Sequence, residues 1–371
     1  MPPAGKRARD ESPPTTFFIV GGVYVDEIHT VPHYPAEDST MRALSVERRR
    51  GGNAANTAVV LKQLAPEDAK IRWMGLVPGS GDDGGGAFAL AELEKSGVDT
   101  SLRETSETPS GMPTANIILN QANGSRTIIS SRRGLGELSA EWFETKFLPE
   151  VQNNSNRGWV HLECREYKSV EQMARLFLIA GMKIASIRLA LSLPFGWPIA
   201  SIVGLPEWRL SIEVEKPLIA VEEVLELAKH ADLVFLSRDW ALKHAEALGC
   251  DANKEEKMAL QVLRAVVNRF YDFQDAPAAL ICAWGAEGAY AIHKAMYGTL
   301  GIESCSNTWN TSFAPAMKLD KVVDTTGAGD TFNAAVIASL AAGNGVETAL
   351  KSGCAVAGKK VGQAGLDGLA I

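Results

Sequence analysis

The chain has 371 residues and a formal net charge of −7, with 46% hydrophobic and 22% charged residues. A chain of this length buries a substantial core, in one large α/β domain or two smaller ones. Charges of both signs are interspersed, so neither nucleic acid nor a membrane is expected as a partner. Residues 1–14 hold prolines and basic residues but no apolar run of a secretory signal, which predicts a disordered tail and a cytoplasmic protein.

The first apolar run, residues 17–22, ends in two glycines and is typical of a buried strand in a parallel sheet. Asp26 follows this run, at the sheet edge where open α/β proteins bind ligands. An ordinary loop aspartate is the alternative. Residues 41–46 are strand-like, and a charged stretch follows them at 47–50.

Two glycines, Gly51 and Gly52, precede a predicted helix that begins near Asn53. Asn53 and Asn56 are three residues apart, so their side-chain amides project from one side of the first helical turn. An amide both donates and accepts hydrogen bonds, so the pair suits a ligand with several hydroxyl groups, such as a sugar. Capping of the helix without any ligand is the alternative.

Two β-rich runs, 114–121 and 125–130, are joined across Asn123-Gly124, which is a strong hairpin signal. Arg126 lies just past this turn, where it either reaches a phosphate or stays solvated. Farther along, apolar strands alternate with helical stretches, which predicts a mainly parallel sheet. The glycine turn at 285–288 follows one of these strands and suits a nucleotide.

Residues 189–206 carry no charge and are long enough to raise the question of a transmembrane helix. Pro194 and Pro198 interrupt the stretch, and a crossing would put Asp26 and Asp330 on opposite sides of a bilayer. We therefore expect an insertion at about 182–206 and no membrane span. A second, milder insertion is predicted at about 296–316.

The stretch 321–342 combines a short strand end, a turn at Gly327-Ala328-Gly329 and a helix. Unpaired N–H groups and the positive end of the helix dipole make such a turn an anion site. Asp330 lies on the first turn of this helix, where a carboxylate can take the proton from a hydroxyl that attacks a phosphoryl group. A helix cap is the alternative for this residue.

Residues 353–360 come close to a P-loop motif, but Lys360 stands where the motif needs Ser or Thr. The interior of the stretch is predicted to be helical, which also argues against a phosphate loop. No HExxH pattern occurs, and we expect no metal site built from protein side chains alone.

GGNAAN at 51–56 and DTTGAGDTF at 324–332 resemble the two signatures of the ribokinase-like (PfkB) carbohydrate kinases. The resemblance covers most of residues 15–371 and is closest to the branch that phosphorylates ketohexoses. It implies a three-layer α/β/α Rossmann-like body with a small β-sheet lid from about 27–50 and 111–133. It also implies a homodimer through the lid, ATP, and Mg²⁺ bound with ATP, and it leaves a K⁺ requirement open.

By the family pattern, Asp330 is the general base for the C1 hydroxyl of a ketohexose such as D-fructose, and the turn at Gly327, Ala328 and Gly329 holds the transferring phosphoryl group. The implied sugar-binding residues are Asp26, Gly52, Asn53 and Asn56. The implied nucleotide-binding residues are Arg126, Gly285, Ala286, Glu287, Gly288, Phe332 and Cys354. Two alternatives stay open: another sugar or nucleoside kinase of this family, and a sugar-sensing homologue without catalysis.

Overall fold

A computed structural model of the chain describes residues 15–153, 157–189, 207–294 and 308–370. The tail predicted at 1–14 lies outside the described residues, as do residues 190–206 and 296–307 of the two predicted insertions. The strands of the described part are β1 (Thr16–Val20), β2 (Tyr24–Val31), β3 (Ser45–Gly51), β4 (Lys70–Met74), β5 (Leu76–Val77), β6 (Glu104–Thr105), β7 (Thr114–Asn120), β8 (Arg126–Ser131), β9 (Arg157–Glu163), β10 (Glu207–Val214), β11 (Leu233–Leu236), β12 (Ala279–Ala283), β13 (Gly288–Lys294) and β14 (Trp309–Pro315). The helices of the same part are α1 (Asn53–Leu64), α2 (Gly85–Lys95), α3 (Ala140–Asn153), α4 (Tyr167–Leu189), α5 (Val221–Ala228), α6 (Arg238–His244), α7 (Met258–Val267), α8 (Ala328–Ala341) and α9 (Val346–Val361).

The main sheet is eight-stranded over the described residues, in the order β14-β13-β12-β11-β10-β9-β1-β4. Strands β4, β1, β9, β10, β11 and β12 pair in parallel, and β13 and β14 add antiparallel strands at one edge. The prediction of a mainly parallel sheet is therefore confirmed. The carboxyl ends of the parallel strands lie along one edge of the sheet, which is where such sheets bind ligands.

Helices cover both faces of the main sheet. In β1, Phe18 and Val20 point into a core formed with α3 to α7, whereas Phe17 and Ile19 point into a second core formed with α1, α2, α8 and α9. Alternate residues of a strand point to opposite faces, so a strand buried on both faces has a continuous apolar sequence. The result is three layers, α/β/α.

A second, smaller sheet has the order β3-β2-β7-β8, and we call it the small sheet. Its β7–β8 hairpin turns at Asn123-Gly124 as predicted, with Gly124 at a φ of 70°. The strand expected at 41–46 begins later, at Ser45, and includes the charged residues 47–50. β3 is an edge strand of this sheet, where charged side chains reach water. Asp26 lies within β2 rather than in a loop after β1.

Three further stretches can be compared with the sequence predictions. The strand end expected at 321–324 is irregular backbone. Part of the insertion predicted at 296–316 forms β14, which pairs with β13 at the edge of the main sheet. The stretch 353–360 lies inside α9, as its rejection as a P-loop required. Among the helices that the structure describes, none is long and apolar enough to cross a membrane.

Candidate functional site

The two glycine-preceded helices, α1 and α8, meet at their N-termini. Gly52 and Gly327 precede them with φ angles of 98° and 78°, in the left-handed half of backbone space that favours glycine. The Asn56 amide nitrogen Nδ2 donates to Oδ2 of Asp330 at 2.7 Å, across 274 positions of sequence. Folding therefore brings the two signature stretches into direct contact.

Asp330 is buried, with 6% of its surface exposed. Burial, followed by the negative charge of Glu213, raises the pKa of Asp330 well above its ordinary value, and the hydrogen bond from Asn56 only partly opposes this. A carboxylate with a raised pKa accepts a proton more readily than an exposed aspartate does. Asp330 therefore has the burial and the charge environment of a general base.

Arg50 and Asp26 complete the polar wall beside α1. Arg50 Nη1 donates to Asn56 Oδ1 at 2.8 Å. This bond fixes the orientation of the Asn56 amide, so that its NH₂ group faces Asp330. Burial raises the pKa of Asp26 to about 6, although the positive charges of Arg50 and Arg49 oppose the shift. A side chain at position 51 would place its Cβ 2.2 Å from Asp26 Oδ1, so this close approach requires Gly51.

Two buried glutamates lie next to the predicted sugar residues, and the sequence predictions did not include them. Glu213 Oε1 lies 3.5 Å from Asn53 Nδ2, and burial raises the pKa of Glu213 to about 8. Glu163 Oε2 accepts hydrogen bonds from the backbone N–H groups of Gly22 (2.8 Å) and Ala54 (3.3 Å). Both glutamates lie at the carboxyl ends of parallel strands, so the rule applied to Asp26 would have found them.

The turn predicted at Gly327 to Gly329 is shorter in the structure, because α8 begins at Ala328, and one amide of this stretch is already in use. The N–H of Ala328 donates to the carbonyl of Thr325 at 3.3 Å, within the turn. The N–H and hydroxyl of Thr331 donate to the Gly327 carbonyl at 2.9 and 2.8 Å, which secures the start of the helix. The positive end of the α8 dipole lies at Gly327 and Gly329, next to Asp330.

The residues predicted on the nucleotide side, apart from Arg126, lie together around β13 and β14. Residues 285–287 form a short 3-10 turn, and Gly288 then pairs with Pro315 of β14. The Cys354 thiol donates to the carbonyl of Ala314 in β14 at 3.5 Å. The ring of Phe332, in the first turns of α8, packs against the residue before Cys354 in α9.

Arg126 is exposed at the start of β8. In the register of the small sheet it lies on the same face as Asp26 and Arg49. A Cβ added at Gly124, in the hairpin turn, would lie 4.0 Å from the carbonyl oxygen of Val322. The hairpin therefore approaches the segment that leads into Gly327.

No group of three or more His, Cys, Asp or Glu side chains in the described ranges is arranged to hold a metal ion. Of the acidic side chains near α1 and α8, Glu163 and Asp330 each accept a hydrogen bond from a protein donor.

Comparison with known proteins gives a consistent result. A family model described as pfkB family carbohydrate kinase matches residues 16–163 and 213–369. A ketohexokinase of Mus musculus is 37% identical to this chain over 351 residues, which are 94% of this chain and 97% of that protein.

Solved structures of the same shape include ribokinases and a nucleoside-type kinase. The ribokinase of Giardia lamblia matches with a TM-score of 0.67 and 14% identity, over 96% of this chain and 95% of that one. The adenosine kinase of Sinorhizobium meliloti matches with a TM-score of 0.65 and 18% identity, over 97% and 98% of the two chains. A ribokinase of Cryptococcus neoformans in complex with ADP matches with a TM-score of 0.61 and 18% identity, over 96% of each chain. These likenesses confirm the predicted ribokinase-like fold.

Proposed function

We propose that this chain transfers the terminal phosphoryl group of ATP to the C1 hydroxyl of a ketohexose such as D-fructose, because it belongs to the pfkB family of carbohydrate kinases. Membership of this family makes the chain a phosphotransferase. The contact between Asn56 and Asp330 carries this proposal. It places an amide suited to sugar hydroxyls against a buried carboxylate at the mouth of an anion-binding turn. The similarity to the mouse ketohexokinase supports the choice of a ketohexose over other acceptors.

In the proposed reaction, the C1 oxygen of the sugar attacks the γ-phosphorus of ATP, and the bond from this phosphorus to the β–γ bridging oxygen breaks. Asp330 takes the proton of the C1 hydroxyl as the new bond forms. The turn at Gly327 to Gly329 stabilises the charge on the transferring group with its backbone N–H groups and the helix dipole. The products are the sugar 1-phosphate and ADP.

The sugar occupies the space beside α1 and the small sheet. Asp26, Asn53 and Asn56 offer it one carboxylate and two amides, and Gly52 leaves room for a close approach to the backbone. The small sheet acts as a lid that covers the sugar, and closure excludes water from the reacting groups.

ATP lies along the region of Gly285, Ala286, Glu287 and Gly288, bordered by Phe332 and Cys354. Arg126 reaches the phosphates from the lid when it closes. Mg²⁺ enters with ATP and stays largely on phosphate oxygens and water, because it dehydrates reluctantly, and it neutralises charge on the phosphates. Replacing K⁺ by Na⁺ in the assay tests for a monovalent-ion requirement.

The lid also provides the surface for a homodimer. Its exposed apolar side chains include Leu44, Val46, Ile128 and Ile129, with 49 to 63% of their surface exposed. Such side chains favour burial against a partner. Analytical ultracentrifugation of the protein and of Val46→Glu tests this, because a dimer through the lid should dissociate when a charge replaces one of these side chains. An unchanged dimer rules out this interface.

The test of the activity is an assay of the purified protein with ATP and, separately, fructose, ribose, adenosine or fructose 6-phosphate. We expect a product only or chiefly with fructose, and phosphorus–carbon couplings in its NMR spectrum that place the phosphate on C1. A preference for ribose or adenosine would assign the chain to another kinase of the family. Absence of any product would favour a sugar-sensing homologue.

The role of Asp330 is tested with Asp330→Asn, which keeps the shape of the side chain and its acceptor for Asn56. We expect kcat to fall by roughly 10²- to 10⁴-fold, because the hydroxyl proton loses its acceptor. Asp320→Asn, at an exposed position a short distance upstream, serves as the control. An Asp330→Asn protein with undiminished kcat would contradict the proposed mechanism.

A further inference from the structure

Lys360, in α9, has a completely buried side chain. Its ammonium nitrogen Nζ donates to the backbone carbonyl of Asp324 at 3.0 Å and lies 2.9 Å from Oδ2 of the same residue. The carbonyl oxygen of Gln363 lies 3.4 Å away. A buried ammonium is tolerated only where such oxygen atoms replace its water, so the site is built around the charge.

Asp324 passes this contact on to the segment that leads into the phosphoryl-binding turn. Its Oδ1 accepts from the backbone N–H of Thr326 at 2.8 Å. Its Oδ2 accepts from the Arg49 guanidinium of the small sheet at 3.2 Å and from the backbone N–H of Gly365 at 3.4 Å. Burial opposes the charge on Asp324, yet the bonds from Lys360 and Thr326 prevail and lower its pKa.

The backbone on either side of Asp324 depends on α9 as well. The N–H groups of Val323 and Asp324 both donate to the carbonyl of Val361, at 2.9 and 3.2 Å. Residues 321–325 form neither a strand nor a helix, so no regular hydrogen-bond ladder orders them. Contacts with the end of α9 therefore set the position of the backbone that leads into Gly327. The charged contact among them comes from Lys360.

We propose that Lys360 is a positioning residue for phosphoryl transfer: its buried ammonium holds Asp324, and Asp324 holds the backbone that aims the amides of Gly327 and Gly329 at the transferring group. The proposal rests on the proposed phosphotransfer at this turn. Lys360 is the residue that stands in place of the Ser or Thr of a P-loop motif. In this proposal it acts through Asp324 and does not contact phosphate. The hydrogen bond from Arg49 also joins the Asp324 carboxylate to β3 of the small sheet.

The test compares Lys360→Met, which keeps the aliphatic stem and removes the charge, with Lys351→Met, an exposed lysine of the same helix. We expect kcat of Lys360→Met to fall by roughly 10- to 10²-fold, because misaligned donors weaken stabilisation of the transition state more than binding of the sugar. The sugar KM should stay within about threefold of the wild-type value. Lys351→Met should match the wild type in both constants.

A second measurement needs no turnover. In hydrogen exchange followed by mass spectrometry, peptides that cover residues 321–331 should exchange faster in Lys360→Met than in the wild type, with no such change in Lys351→Met. A folded Lys360→Met protein with wild-type kcat, or with wild-type exchange in these peptides, overturns the proposal. A purely structural role predicts a lower Tm with unchanged kcat in the folded fraction, which also overturns it.

If Lys360→Met does not fold, Asp324→Asn replaces it. This variant keeps the backbone carbonyl and an acceptor for Thr326 but loses the charge that faces Lys360. We expect the same fall in kcat and the same faster exchange, and wild-type values in the folded variant overturn the proposal. If the wild type phosphorylates another acceptor instead of fructose, the ketohexose assignment fails, whereas the comparison of variant with wild type on that acceptor still decides the role of Lys360.

Discussion

Replacing Asp26 with Asn removes a buried carboxyl group whose ionisation opposes folding, and we expect this to make stability less dependent on pH. Only 7% of the surface of Asp26 is exposed. Burial raises its pKa from 3.8 to about 6 in the folded protein, against the opposing charges of Arg50 and Arg49. The folded protein therefore holds the Asp26 proton more tightly than the unfolded chain does.

The sign and the size of the effect follow from this difference. Between pH 3.8 and about 6 the folded protein binds more protons, so the free energy of unfolding falls as the pH rises through this window. A pKa difference of about two units corresponds to ~3 kcal/mol, which the wild type has fully lost above about pH 7. Asp26→Asn does not suffer this loss. The stability of the variant relative to the wild type should thus increase by ~3 kcal/mol between about pH 3 and about pH 7.

The measurement is urea unfolding of both proteins at a series of pH values, without sugar or nucleotide. Taking the difference between variant and wild type cancels the contributions of other titrating groups, such as Glu213. Asp68→Asn, at an exposed position, controls for the loss of one negative charge. A stability difference that is the same at all pH values, or that decreases as the pH rises, would refute the reasoning.

Two predictions concern catalysis. Asn56→Ala removes the hydrogen bond that lowers the pKa of Asp330, so the acidic limb of the pH profile of kcat should move to higher pH. Asn268→Ala, exposed at the end of α7, should leave the profile unchanged. An acidic limb that does not move in Asn56→Ala would show that Asn56 does not influence the pKa of the base. Arg126→Gln removes the charge that we propose reaches the phosphates from the lid, so kcat/KM for ATP should fall by roughly 10-fold in steady-state assays. An exposed arginine of the same lid, changed in Arg42→Gln, is the control, and equal effects of the two variants would show that only the general charge of the lid matters.

Local sequence was sufficient for the elements that carry the site. Helix α1 begins after Gly52 as expected, and α8 begins after Gly327, two residues earlier than the predicted turn allowed. Glycine tolerates the positive φ at both starts, and each helix has an apolar repeat. The β7–β8 hairpin follows from Asn123-Gly124, which suits a tight turn between two β-rich runs. The family signatures then indicated which of these elements belong together.

Strand boundaries in the small sheet were less predictable. Residues 47–50 are charged and were not expected to lie in a strand, yet they form most of β3. An edge strand exposes its side chains to water and takes its backbone order from the neighbouring strand, β2. The pairing partner, rather than the apolar pattern, decides the conformation in such a case.

The sequence by itself determined the α/β class, the glycine turns and the identity of the side chains offered at each helix start, because these depend on neighbours within a few positions. Only the tertiary structure decided that Asn56 meets Asp330, that Glu163 and Glu213 are buried nearby, and that the ammonium of Lys360 contacts the segment leading into Gly327. Periodicity shows which face of an element is buried but not which element covers it. The strength of a buried charge depends on that covering, since desolvation and the partners at hydrogen-bond distance set both its pKa and its position.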